Sequence, residues 1–177
     1  MAHITFRNIE IHEVDRISEI DASIYIKYAW RDIDGKKQLI ELNYDEQGYP
    51  NGLDEHIKAL IDTITNNGYA LGAFDENHRM IGFITLNKPL FGKSYQYVLL
   101  DQLFISKNYR KQGIGKKLIN LSMQEAKSWG ADKLYICAGS SQDTIAFYER
   151  LGCIEAKEIN QEFYESDPRD IQLELKL

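Results

Sequence analysis

Only two cysteines, Cys137 and Cys153, occur among 177 residues. Both lie in apolar, strand-like runs, where buried, reduced thiols are expected rather than a disulfide. Their separation, with no paired histidines nearby, speaks against a metal site. Histidine is equally sparse. His3, His12, His56 and His78 are scattered, so the sequence offers no basis for a His-centred catalytic cluster. Proline occurs three times, at Pro50, Pro89 and Pro168. No low-complexity stretch, linker or repeat interrupts the chain, and one domain over residues 1–177 is the simplest reading. No apolar run approaches the ~18 residues of a membrane span. The opening Met1-Ala-His-Ile-Thr-Phe-Arg lacks the apolar core of a signal peptide, so a cytoplasmic location is expected. Positive charge is also in deficit. Lys and Arg number 21 against 27 Asp and Glu, a net charge of −6. That balance disfavours general nucleic-acid binding and suits an amine or other cationic ligand.

What is present is periodic. Ile4–Ile9 alternates as a short strand, and Val14, Ile17 and Ile20 predict a helix from His12 to about Ala22. Asp34-Gly35 between the β-rich runs Ser23–Arg31 and Lys36–Tyr44 predicts a hairpin. Ile57, Leu60, Ile61 and Ile64 predict an amphipathic helix over Asp54–Asn66. Three strands follow, at Tyr69–Asp75, Met80–Leu90 and Tyr97–Ile105. Then come a helix at Gly113–Trp129, a strand at Lys133–Ala138, a helix at Gln142–Leu151, and strands at Ile154–Ile159 and Ile171–Leu177. Asp167-Pro168 falls in the loop between the last two. Antiparallel strands followed by a strand–helix–strand unit predict a mixed α/β sheet. The right-handed crossover makes Tyr97–Ile105 and Lys133–Ala138 parallel.

The most informative stretch is Asp101–Leu118, where an apolar strand runs through Arg110-Lys111-Gln112-Gly113-Ile114-Gly115-Lys116 into a helix. A helix start presents unpaired N–H groups and about half a positive charge, and glycine lets a ligand approach the backbone. These features predict an anion site, most readily for a pyrophosphate. Neither a P-loop nor a Rossmann fingerprint fits, because position 118 is Leu where a third glycine is needed. From glycine and charge alone, a basic surface turn with a glycine cap explains the stretch equally well.

Arg110-x-x-Gly113-x-Gly115 resembles the [Q/R]-x-x-G-x-[G/A] motif of the GNAT superfamily of N-acetyltransferases. Ser141-Gln-Asp-Thr-Ile-Ala-Phe-Tyr148-Glu-Arg-Leu-Gly152-Cys resembles that family's N-x-x-A-x-x-F-Y-x-x-x-G-F segment. The resemblance is specific over about residues 69–154. It implies the family's fold, a mostly antiparallel sheet with a central splayed parallel pair and helices on both faces. It also implies that acetyl-CoA binds between Tyr97–Ile105 and Lys133–Ala138, within a core of residues 97–154. Leu103, Phe104 and Ile105 would pair with the pantetheine arm, and the N–H groups from Gln112 to Lys116 would hold the pyrophosphate beside Arg110 and Lys111. Ser141 stands where the family has Asn, Thr144 where it has Ala, and Cys153 where it has Phe. These departures put the contact made by position 141 in question.

Acetyl transfer needs a free amine, and deprotonating a lysine-like amine at pH 7 costs about 4.6 kcal/mol. A base helps supply that, and a neutral phenol can protonate the departing thiolate. The resemblance makes Tyr148 the proton donor, with a core aromatic as its alternative. Asp101, a carboxylate within an apolar strand, is the candidate base; its alternatives are an electrostatic substrate contact or a structural role. The acceptor side is expected from the hairpin at residues 23–44. Tyr25, Tyr28, Trp30 and Tyr44 stand there near Glu41 and Asp45, and aromatics beside carboxylates suit a cation. Packing of the hairpin or a homodimer contact explains the same residues. The whole pattern also resembles small bacterial-type members of the family and, more distantly, streptothricin and aminoglycoside acetyltransferases. The expected activity is transfer of an acetyl group to a small-molecule primary amine, without metal, nucleic acid or membrane. The alternatives are acetylation of a protein lysine or N-terminus, and a CoA-binding module without turnover.

Overall fold

A computed structural model describes residues 3–177. Four strands come from the first two thirds of the chain: β1 (Thr5–Asn8), β4 (Tyr69–Phe74), β5 (Met80–Phe91) and β6 (Tyr97–Ile105). With β7 (Lys133–Ala138), β8 (Ile154–Glu155) and β9 (Ile171–Lys176) they form one seven-stranded sheet in the order β1-β4-β5-β6-β7-β9-β8. Every pairing is antiparallel except β6 with β7. That parallel pair is joined over the sheet by α2 (Ile114–Ser128), as the sequence predicts. The 23–44 region forms the expected hairpin, β2 (Ile24–Ile33) and β3 (Lys36–Glu46), outside the main sheet.

The sheet is covered on both faces. On one side α2 and α3 (Gln142–Arg150) bury Ile114, Leu118, Ile119 and Ile145 against Ile84, Val98, Leu100, Leu134 and Ile136. On the other, α1 (Leu53–Thr65) and the N-terminal segment pack Leu60, Val14 and Ile17 onto Phe74, Met80 and Phe83. No helix among the described residues is long and apolar enough to cross a membrane.

Three expectations are corrected. The first helix is a 3₁₀ helix over Ile11–Glu19, not an α-helix over 12–22. Val14, Ile17 and Ile20 recur every three residues, the repeat of a 3₁₀ helix. The strand expected over Ile154–Ile159 ends after Glu155. The loop after it contains α4 (Gln161–Ser166), which the sequence reading missed; Asn160 caps it by accepting from Phe163 N at 3.1 Å. Cys153 is buried and free as expected, whereas Cys137 is free but part-exposed.

At the closed end of the β6–β7 pair lies a buried polar knot. Lys133 Nζ donates to Glu174 Oε1 at 2.6 Å, and the Tyr97 hydroxyl donates to Glu174 Oε2 at 2.7 Å. The two ionic side chains are only 9% and 3% exposed. Burial alone would raise the Glu174 carboxyl, but the bonds from Lys133 and Tyr97 hold it below the ordinary range. Tyr97 and Tyr135 are fully buried there, with Phe91 and Phe163 packed on them. Glu174→Gln leaves the lysine charge buried without its counter-ion. It should cost about 3 kcal/mol of stability at pH 7, read as a lower urea midpoint. The lost contribution belongs to the ionised carboxylate, so the deficit should shrink as the pH falls through the depressed folded-state pKa.

Candidate active site

The parallel ladder runs from Tyr97–Lys133 to Leu100–Ile136 and stops. β6 continues to Ile105 and β7 to Ala138 without pairing to each other. The two strands therefore part, and beyond Leu100 the β6 edge facing β7 has no strand partner. Asp101 stands at the parting point. Against β5, Thr85 pairs with Gln102 and Leu86 with Leu100, so Asp101 is the extra residue of a β-bulge. The Thr85 hydroxyl repairs the ladder by accepting from Gln102 N at 3.1 Å. The bulge also resets the alternation. Val98 and Leu100 pack toward α2, as do Leu103 and Ile105, whereas Gln102 and Phe104 turn toward α1. Asp101 lies with the α1-facing set, near His56 and Asn87.

Asp101 is solvent-exposed but has protein on most sides, as a carboxylate in an open cleft does. Crowding raises its carboxyl above the ordinary range, while the Asn87 amide and His56 pull the other way. The Asn87 Oδ1 accepts from Thr63 Oγ1 at 2.6 Å. His56 is held by Pro50 O at 2.8 Å from Nε2 and by Gln102 Oε1 at 2.7 Å from Nδ1, and its ring lies against Tyr49 and Phe104. Reading the sequence missed His56 and Asn87, which lie 45 and 14 positions from Asp101. An apolar helix face carrying one histidine was the only available signal.

At the mouth of the gap, Lys111 and Gly113 both adopt left-handed backbone, with φ of 63° and 83°. Gly113 is the N-cap of α2 and has no side-chain cap, so the first-turn donors face outward. Ile114 is buried, which anchors the turn. A Cβ on Gly115 would lie 3.1 Å from the Phe147 ring, so glycine there lets α2 approach α3. Lys116 is exposed at the rim. Gln112 Nε2 donates to Asn108 O at 3.0 Å. The Arg110 side chain does not point into the turn. Its guanidinium donates to Ile105 O at 2.9 Å, Ser23 O at 2.8 Å and Asp21 O at 3.3 Å, fixing the turn to the start of the hairpin. The backbone geometry fits a pyrophosphate: several donors converge on open space with lysines at the rim.

Tyr148 projects from α3 into the core beside Cys153 and is 6% exposed. Burial pushes its phenol well above the ordinary range, so it is neutral at pH 7 and holds a proton. Ser141 is the N-cap of α3: its Oγ accepts from Thr144 N at 3.1 Å and donates to Thr144 Oγ1 at 2.7 Å. Its hydroxyl is committed to Thr144, which settles the local role of this departure from Asn.

The hairpin meets the site at one seam. Trp30 N donates to Ser140 O at 2.8 Å, Ala29 bridges Ser141, and Trp30 packs on the main core. Arg31 also donates to Ser140 Oγ at 2.6 Å, and Lys37 pairs with Glu155, whereas the polar groups of Tyr25, Glu41 and Asp45 engage neighbours on or just beyond the hairpin. Tyr25 pairs with Asp45 and Tyr28 with Glu41 across the strands. Tyr25 is 56% exposed and donates to Asn43 Oδ1 at 2.6 Å. Glu41 accepts from Asn43, and Asp45 from Gln47. None of these hydrogen bonds reaches Asp101. A carboxylate that the sequence reading missed, Asp170, immediately precedes β9 and its charge, like that of Asp101, reaches Cys137. A cavity of about 420 Å³ lies at the closed end of the β6–β7 pair between Phe91, Tyr97 and Glu158–Glu162, away from the parting point.

The splayed pair, the bare helix start and the buried phenol together define an acyl-CoA-dependent transferase. The model of the acetyltransferase (GNAT) family matches residues 36–153, two thirds of the chain, and the chain belongs to that family. It is an N-acetyltransferase that uses acetyl-CoA. Among solved structures, a nourseothricin acetyltransferase superposes with a TM-score of 0.74 at 15% identity, covering 98% of both chains. A putative streptothricin acetyltransferase from Bacillus anthracis, in complex with acetyl coenzyme A, gives 0.69 at 20% identity over 99% of both. The PaiA N-acetyltransferase of Thermoplasma acidophilum, in complex with coenzyme A, gives 0.63 at 17% identity over 99% of both. At these identities the likeness is one of fold. No curated protein matches the chain in sequence.

The turn itself is testable without a ligand. Gly113→Ala adds a Cβ with open space around it but at a φ of 83°. The strain should cost about 1 kcal/mol, seen as a small drop in urea midpoint; an unchanged midpoint would mean that the turn relaxes.

Proposed function

We propose that the protein acetylates the primary amine of a small molecule by direct attack on the thioester within a ternary complex. The observation that carries this reading is the parting of β6 from β7 at Asp101, with the uncapped start of α2 at the mouth of the same gap. Acetyl-CoA supplies the activated acetyl group as a thioester. The unpaired β6 edge from Leu103 to Ile105 offers backbone groups to an extended ligand arm, as one more strand would. The N–H groups from Gln112 to Lys116 hold the diphosphate, with Lys111 and Lys116 adding charge. Arg110 acts by positioning this turn, and Ser141 and Thr144 by fixing the start of α3.

The two chemical groups approach from opposite sides of the sheet. Asp101 faces the α1 side, where an amine enters from solvent. Tyr148 belongs to the α3 side, where the sulfur lies. Asp101 takes the amine proton, directly or through water, and Tyr148 gives its proton to the departing thiolate. The bond from nitrogen to the acetyl carbon forms as the carbon–sulfur bond breaks, so the proton count balances. Crowding around Asp101 supports the role, because a carboxyl with a raised pKa is a better base than an ordinary one. The open cleft and the net charge of −6 support a small cationic acceptor. An exposed peptide lysine or N-terminus is the competing acceptor; thiol release from acetyl-CoA, measured with small amines and with peptides, separates the two.

Tyr148→Phe should lower kcat by about tenfold to a hundredfold while CoA still binds by calorimetry. Unchanged turnover would remove the proton-donor role. Asp101 must be ionised to act, so activity should fall as the pH drops through its raised pKa. Asp101→Asn should abolish that acid limb in kcat/KM. A variant that keeps the limb would assign Asp101 to substrate contact or structure.

A further inference from the structure

A second carboxylate, Asp170, lies at the start of β9, next to the face that carries Asp101. Cys137 of β7 pairs with Gln172 of β9, and directly paired residues share a face. That face is the one opposite α2, because the neighbouring pair, Ala138 and Ile171, packs into the α2 core. Asp170 stands in the bend immediately before Ile171, one step nearer the open end of the gap, where its charge reaches Cys137. It is half-buried, and among the described residues no lysine or arginine forms an ion pair with it. The nearby Arg169 is engaged with Asp167 at 3.1 Å. Burial, and then Asp167, push the Asp170 carboxyl up to about 6. Burial pushes the Cys137 thiol up to about 12, and both Asp170 and Asp101 add to that shift. The thiol therefore lies within electrostatic reach of both carboxylates.

The second observation is independent. Gln172 is 5% exposed, and its Oε1 accepts from Cys137 Sγ at 3.2 Å. Its Nε2 is buried and has no hydrogen-bond partner. A buried donor left without an acceptor is uncommon and costs stability. Gln172 lies on the Cys137 face, so its free N–H belongs to the same side of the sheet as Asp101. A ligand oxygen would satisfy it.

We propose that Asp170 and Gln172 form a distal subsite of the acceptor pocket, which takes the second ammonium group of a diamine and an oxygen beside it. The inference rests on the acetyl-transfer reading given above. Asp101 serves the reacting nitrogen and Asp170 the far one, while Gln172 Nε2 donates to a hydroxyl or carbonyl oxygen near the far nitrogen. Two strand spacings separate the carboxylates, roughly 10 Å before the parting of β6 and β7 is added. That span suits an extended diamine and is too wide for a single ammonium group.

The test is thiol release from acetyl-CoA with matched acceptors: butylamine against putrescine, and diaminopropane against diaminopropanol. The intact enzyme should prefer putrescine over butylamine by about tenfold or more in kcat/KM, as a charge-assisted contact contributes. In Asp170→Asn that ratio should fall to near one. In Gln172→Leu the preference for diaminopropanol over diaminopropane should disappear while the putrescine-to-butylamine ratio persists. Equal rates for putrescine and butylamine, or a ratio that Asp170→Asn leaves unchanged, would overturn the subsite and leave the acetyl-transfer reading standing. No transfer to any amine would overturn both.

Discussion

The site depends on one event in the sheet, the end of the parallel ladder between β6 and β7 after Leu100 and Ile136. A parallel pair in the middle of a sheet is ordinarily closed along its length, because each unpaired backbone group in a buried strand carries a desolvation cost. Here the pair is closed at one end and open at the other. The closed end is held by the Lys133–Glu174–Tyr97 knot, which ties β6, β7 and β9 together with ionic hydrogen bonds in a dry, aromatic setting. Such a knot adds little net stability relative to a well-packed apolar core. It does, however, confine the strands to one registry at that end. The opening then occurs at a defined residue, and everything placed relative to that residue inherits the precision.

The bulge at Asp101 is the second half of the same device. A carboxylate in an apolar strand is costly where side chains alternate strictly between two packed faces. The extra residue releases Asp101 from this alternation while letting Leu103 and Ile105 resume packing toward α2. Thr85 supplies the hydrogen bond that the bulge would otherwise leave unmade. One insertion thus exposes a carboxylate and preserves the core at the residue where pairing with β7 has just ended.

Much of this was legible in the residues, for identifiable reasons. Local signals were strong where the chain turns: Asp34-Gly35 and Gly113 each mark a real boundary. β6 and β7 begin and end where their apolar runs do. The Arg110–Gly115 turn and the Ser141–Gly152 segment were readable because each is a contiguous stretch of backbone geometry. What escaped depends on register and packing. A bulge needs the partner strand to be visible, so Asp101 read as a carboxylate in a regular strand. His56, Asn87 and Gln172 come from three different elements and Asp170 from the bend before the last of them, and no spacing along the chain announces that they lie near one opening. Arg110 carried the motif but spends its guanidinium on three carbonyl groups, a commitment that only the fold reveals.

The two faces of the gap also differ in what they leave free. On the α3 side polar groups are matched: Ser141 caps a helix and donates to Thr144, and the core around Tyr148 is apolar. On the α1 side matching is incomplete. Asp170 lacks a cation, Gln172 has an unused donor, and Asp101 is crowded without a charged hydrogen-bond partner. A protein that is otherwise well satisfied concentrates its unmet polar demand on one side of one opening. An acetyl donor of fixed chemistry needs little more than backbone and shape to be held, which the turn and the free strand edge provide. An acceptor must be chosen among many amines, and choice requires charges and donors that are completed only by the right molecule. The asymmetry between the faces therefore follows from the division of labour between a common donor and a particular acceptor.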